Sequence, residues 1–242
     1  VNGEEPVQRS SDGRSVVGNP DAKADIDQFI AAASKPAPAA SGRGRLIFAL
    51  DATMSRQPTW DLAQGLQAKM FETAAAHGGL EVQLVYYRGF RECKASRFLS
   101  GGKDLGALMT KISVEAGHTQ IARVLRHVLD EARRSPVRAL IFIGDAMEEK
   151  ADDLAELAGQ AGLLGVKAFI FQEGTDRVVE RTFRQIALLS GGAYATFDSG
   201  APQRLAALLS AVAAYASGGW PALEAEARSR GAAADLLLAQ MR

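Results

Sequence analysis

From residue 45 onward, short apolar runs alternate with longer stretches in which apolar residues recur at helical spacing. The runs RLIFALD (45–51), EVQLVYY (81–87), RALIFIGD (138–145), KAFIFQE (167–173) and AYATFD (193–198) have the length and content of buried strands. Between them, Trp60–Ala76, Leu105–Val114, Thr119–Arg134, Ala151–Leu164, Arg177–Leu189 and Gln203–Ala216 predict helices. In the segment 119–134, Ile121, Val124, Leu125, Val128 and Leu129 form one apolar stripe. Runs 138–143 and 167–171 are apolar at nearly every position, which suits strands covered on both faces. The alternation predicts an α/β fold: a doubly wound, mainly parallel sheet flanked by helices. The stretch RGFRECKASRFLS (88–100) follows a strand without a long helix. It is expected to turn back as an antiparallel edge strand, its charges guarding that edge.

Outside this region the pattern changes. Residues 1–24 are polar and rich in Gly, Ser, Pro and Asp, and a short helix is expected at about 25–34. The linker KPAPAASGRG then resists regular structure. This gives an N-terminal arm and linker (1–42), a domain (43–219) and, after Gly218–Gly219, a C-terminal helical tail (220–242). No internal repeat is present.

Apolar residues make up 47% of the 242, enough for a continuous core, so disorder is not the expectation. The 28 basic and 28 acidic residues cancel, which argues against a nucleic-acid partner. The single cysteine, Cys93, excludes an intramolecular disulfide and multi-cysteine metal sites. Runs of eighteen uncharged apolar residues are missing, so no membrane span is expected. The opening VNGEEP lacks the basic and apolar regions of a signal peptide, and a cytoplasmic location is the expectation.

Ligands in open α/β sheets gather beyond the carboxyl ends of the strands, which makes the oxygen donors there informative. Asp51, Thr53 and Ser55 follow the first strand at alternate positions, and Asp145 follows Gly144 at the end of another. Thr119 opens a helix within GHTQI, with Gly117 loosening the loop before it. Such an all-oxygen set suits a hard cation, Mg2+ or else Mn2+ or Ca2+. An ion held largely by hydroxyls keeps charge for an outside anionic oxygen, such as an acidic side chain of a partner protein.

These five positions resemble, in order, the metal-ion-dependent adhesion site of von Willebrand factor A domains, Asp-x-Ser-x-Ser followed by a Thr and an Asp in later loops. Thr53 replaces the first serine but keeps the hydroxyl. GHTQIARVL resembles the Gly-Gly-Thr loop and helix of the family, and LLSGGAYATF (188–197) its approach to the last strand. The resemblance covers about 43–217 and implies a non-enzymatic, metal-dependent protein-binding module. The family often has Gly after the final Asp; here Ala146, Met147, Glu148 and Glu149 follow, and either acid could reach the open position on the metal.

Two alternatives stand beside this reading. Asp-x-Thr at a strand end, with IGDAMEEKADD later, also resembles haloacid dehalogenase phosphohydrolases, where Asp51 would be the nucleophile and Asp145 and Glu149 would surround Mg2+. That pattern wants a hydroxyl ending an intermediate strand, and strand 81–87 runs into Tyr-Tyr-Arg-Gly instead. The other is a scaffold with a vestigial metal site. Taken singly, Asp51 and Asp145 could be helix N-caps, and Ser55 could cap the helix opening at Pro58. Trp60 could line a binding rim or be buried at the start of its helix; His118 is expected to face solvent.

Overall fold

The computed structural model describes residues 42–53, 57–198, 200 and 202–241. The expected arm, the helix at 25–34 and Ser55 lie outside the described residues.

The elements run β1 (Gly44–Asp51), α1 (Gln57–Ala75), β2 (Leu80–Arg88), β3 (Glu92–Leu99), α2 (Gly102–Met109), α3 (Ile121–Arg134) and β4 (Ala139–Gly144). Then follow α4 (Ala151–Leu163), β5 (Lys167–Glu173), α5 (Arg177–Ser190), β6 (Ala193–Phe197), α6 (Pro202–Arg230) and α7 (Ala232–Met241). The strands form one sheet in the order β3-β2-β1-β4-β5-β6. β3 pairs antiparallel with β2 and every other pairing is parallel, so the expected doubly wound sheet with one antiparallel edge strand is what forms.

Both faces of the sheet are covered, which is why β4 is buried at every position. On one face Trp60 and Met70 of α1, Leu105 and Met109 of α2, and Leu205, Leu209 and Val212 of α6 close over Leu46, Phe48 and Ile141. On the other, Val124 and Val128 of α3, Leu154 of α4 and Phe183 of α5 close over Ile47, Phe142 and Ile170. Burial of the stripe Ile121–Leu129 accounts for the helical periodicity of α3.

Two expectations are revised. The helix after β3 ends at Met109 and not at Val114; Ile112 and Val114 reach the core from the loop that follows. Their apolar spacing imitated another helical turn. The second concerns α6. Its stretch Pro202–Ser229 is long and apolar enough to cross a membrane by length and composition, with a mean hydropathy of 1.2 in its most apolar window. Of that window 61% is buried inside the domain, and a helix enclosed on most sides is apolar on most sides. Gly219 kinks α6 at φ 70°, ψ −156°, a conformation suited to glycine just before Pro221. Beyond the kink, Ala222, Leu223, Ala234, Leu237 and Leu238 join the core on the α1 face.

The strand order reverses between β1 and β4, whose following helices cover opposite faces of the sheet. That divergence opens a crevice at the carboxyl ends of these two strands.

Candidate metal centre

Register brings the strand ends together. Asp51 lies opposite Tyr87 of β2, and Leu50 opposite Ile143 of β4, so β1 and β4 run out side by side at Asp51 and Asp145. Asp51 is 4% exposed, Thr53 8% and Thr119 9%, unusually low for polar residues of strand-end loops.

The Asp51 carboxylate accepts the Thr53 N–H at 2.8 Å, which folds the chain sharply after the strand. Burial pushes its pKa up; bonds from Thr53 oppose this, and the charge of Asp145 adds to the rise. A buried carboxylate with the charge of a second one acting on it is a costly arrangement that a cation would relieve. The hydroxyl of Tyr87, the β2 residue opposite Asp51, is fully buried and makes no hydrogen bond of ordinary geometry. Burial drives its pKa well up, and the charges of Asp51, Glu149 and Asp145 drive it further.

Thr119 sits in the loop before α3, not within the helix as expected. Its backbone N–H donates to Glu148 Oε2 at 3.0 Å, and its hydroxyl donates to Glu149 Oε2 at 2.6 Å while accepting the Glu148 N–H at 3.0 Å. Glu149 Oε1 accepts the Ala122 N–H at 3.0 Å. These acids therefore occupy the N-terminus of α3, where a carboxylate is favoured and Gln120 offers no side-chain cap. The Thr119 N–H, and after it His118 Nδ1 at 2.9 Å, hold the Glu148 pKa below its usual value. His118 faces solvent, as expected, and has this partner as well.

The Thr119 loop is clamped from its other side. Gln120, 7% exposed, donates through Nε2 toward the backbone oxygens of Arg88, Gly89 and Glu92 in the β2–β3 turn. His118 N–H donates to Gly89 O at 3.2 Å, and Arg123 reaches Arg91 O. Gly117 does not loosen the loop: a Cβ there would stand 2.0 Å from Gly89 O. Neither Gln120 nor the tie between turn and loop was visible in sequence, because both rest on contacts about thirty residues apart. A further strand-end acid, Glu173, accepts a hydrogen bond from Thr59 in the first turn of α1.

The simpler readings can now be placed. α1 begins at Gln57 and α4 is capped at Lys150, so neither Asp51 nor Asp145 is a helix N-cap. Trp60 is 2% exposed, with its indole N–H 3.3 Å from Met109 O and its ring edge-on to Tyr86; it belongs to the core and not to a rim. Three or more His, Cys, Asp or Glu residues placed to hold a metal do not occur among the described residues. The oxygen donors near these strand ends are instead two carboxylates and threonine hydroxyls, a donor chemistry that suits a hard cation.

No protein-family model and no curated protein matches the chain in sequence. Solved structures do match. The VWA domain of SpRpn10 aligns at TM-score 0.54 and 9% identity, over 67% of this chain and 95% of that one. The vWF domain of the type V pili tip protein Mfa5 from Porphyromonas gingivalis aligns at TM-score 0.52 and 11% identity, over 72% and 95%. The chain has the von Willebrand factor A fold. Proximal thread matrix protein 1 from the mussel byssus is similar too, at TM-score 0.56 and 14% identity, over 71% of this chain and 46% of that one. In this A-domain fold, Asp51 is the last residue of β1, Asp145 follows β4 and Thr119 lies in the loop before α3.

Proposed function

We propose that this A-domain is a non-enzymatic protein-binding module whose crevice holds a divalent cation, Mg2+ or else Mn2+ or Ca2+. Asp51, Thr53, Thr119 and Asp145 would supply the oxygens, with Ser55 completing the Asp-x-Thr-x-Ser run. The observation that carries the reading is that the paired strands β1 and β4, at the switch point of the sheet, run out at Asp51 and at Gly144 just before Asp145. When bound, the cation would offer a Lewis-acidic position to a carboxylate of a partner protein. The chain's own residues keep water from Asp51 by burial and fix the Thr119 loop against the β2–β3 turn.

The test is a Mg2+ or Mn2+ titration of wild type, Asp51→Ala and Thr119→Ala, joined to capture of partners with and without chelator. Wild type is expected to bind the ion saturably and both variants to bind it weakly. Thr119 lies in the loop before α3, so Thr119→Ala gives up the two hydrogen bonds of its hydroxyl and is expected to cost about 1–3 kcal/mol of stability. Capture that ignores both chelator and mutation would favour a scaffold with a vestigial site. Asp51-dependent turnover of a generic phosphate ester would favour the hydrolase.

A further inference from the structure

The two acids that follow Met147, Glu148 and Glu149, both bond Thr119. A threonine hydroxyl has one proton to give and two lone pairs to receive with. At Thr119 the proton goes to Glu149 Oε2 at 2.6 Å, and one lone pair takes the Glu148 N–H at 3.0 Å. One lone pair is left. The rotor cannot turn its proton elsewhere without giving up a charge-assisted bond. Glu149 is itself fixed, because its second oxygen accepts the Ala122 N–H in the first turn of α3.

We infer that Glu149 is the positioning residue that makes Thr119 a cation ligand: by taking the hydroxyl proton it leaves only an oxygen lone pair to face an incoming ion. The inference rests on the proposed metal site. A threonine free to rotate presents a positive hydrogen to a cation in part of its orientations; one pinned by a carboxylate does not. Glu148 holds the same loop by its main-chain N–H and by its carboxylate on the Thr119 N–H, so it sets the backbone and Glu149 the hydroxyl.

The experiment follows free Mn2+ by its paramagnetic signal during titration of wild type, Thr119→Ala, Glu149→Ala, Glu149→Gln and the double variant Thr119→Ala/Glu149→Ala. Urea midpoints are measured on the same proteins without metal. Glu149→Ala is expected to weaken Mn2+ binding by about 10–100-fold, the usual cost of removing such a partner. Glu149→Gln keeps an oxygen for the threonine proton and is expected to recover part of the loss. The double variant should bind no more weakly than Thr119→Ala alone, because Glu149 acts through that hydroxyl. A structural cap on α3 would lower the urea midpoint of Glu149→Ala and leave Mn2+ affinity alone. Wild-type affinity in Glu149→Ala, or losses that add in the double variant, would overturn the inference while the metal site stands. Equal binding by wild type and Thr119→Ala would show that the hydroxyl is no ligand and overturn the inference, and failure of wild type to bind Mn2+ would remove the metal site and the inference with it.

Discussion

At Gly117 a hydrogen in place of a side chain lets the loop before α3 lie backbone to backbone on the β2–β3 turn. A Cβ there would meet the oxygen, carbon and Cα of Gly89 at 2.0, 2.3 and 2.5 Å, and backbone atoms cannot swing aside as a side-chain tip can. Gly117→Ala is therefore expected to push the turn and loop apart, at about 1–3 kcal/mol of stability, the range for overpacking. It should also weaken the ties from His118 N–H to Gly89 O and from Gln120 to the turn. Urea denaturation reads the first effect, and exchange of the His118 amide reads the second. An unchanged midpoint with a protected amide would show that the close approach carries no load. Polar identities at strand ends can be read from sequence, and so Asp51, Thr119 and Asp145 could be picked out. What each side chain bonds cannot be read so easily: Glu148 and Glu149 lie about thirty residues from the loop they grip, and Gln120 about thirty from the carbonyls it meets.

Among the elements, the strands were legible because five of them are runs of apolar residues that only a two-sided core explains. Helix ends were less so. α3 starts at Ile121, two residues later than its pattern suggests, because acids from another loop hold the preceding residues outside the helix. At the edge of the same element, half-buried His127 bonds through Nε2 to Gln83 Oε1 at 2.9 Å, bridging α3 to β2. Gln83 Nε2 donates to Ser96 O, so its oxygen faces the imidazole and the neutral ring donates from Nε2. Burial lowers the His127 pKa, partly opposed by Glu131 and Asp130. The sign follows. Below the ordinary histidine value of about 6.5 the unfolded chain takes up a proton that the folded chain still refuses, so stability falls as pH drops until the folded group also titrates. Urea midpoints near about pH 7.5 and about pH 5.5 should differ more for wild type than for His127→Gln, which can donate to Gln83 but does not titrate. Equal differences would mean the burial of the ring is not felt.

Over the whole molecule, the segment after Gly219 decides whether residues 43–219 stand as a domain with a tail or whether the tail completes the core. Its sequence, short and alanine-rich, separates from the preceding helix only at the Gly218–Gly219 pair, and a boundary at 219 follows naturally from that pattern. The structure shows what crosses it. Leu223 and Leu237 are fully buried and Leu238 is 6% exposed, all within the cluster that also holds Met70 of α1 and Leu209 of α6. Gln240 bridges the last helix to β6, its Oε1 accepting the Tyr194 N–H and its Nε2 donating to Tyr194 O, each at 2.9 Å. A buried leucine contributes about 1.5–3 kcal/mol, so three of them amount to about 5–9 kcal/mol before the helix ordering they require is set against them. That is comparable with the total stability of about 5–15 kcal/mol that folded domains have. A chain ending at Gly219 is therefore expected to unfold at a much lower urea concentration than the full chain, or to lose its cooperative transition. The Tyr194 amide at the outer strand β6 should lose protection first, because its acceptor leaves with the tail. Circular dichroism across a urea series, with amide exchange at Tyr194, reads both effects. Coincident midpoints for the two chains would show that the buried leucines add nothing and that the domain ends at 219. A lowered midpoint together with unchanged Mn2+ affinity, measured well below the transition, would instead place the tail in the core and leave the crevice between β1 and β4 independent of it.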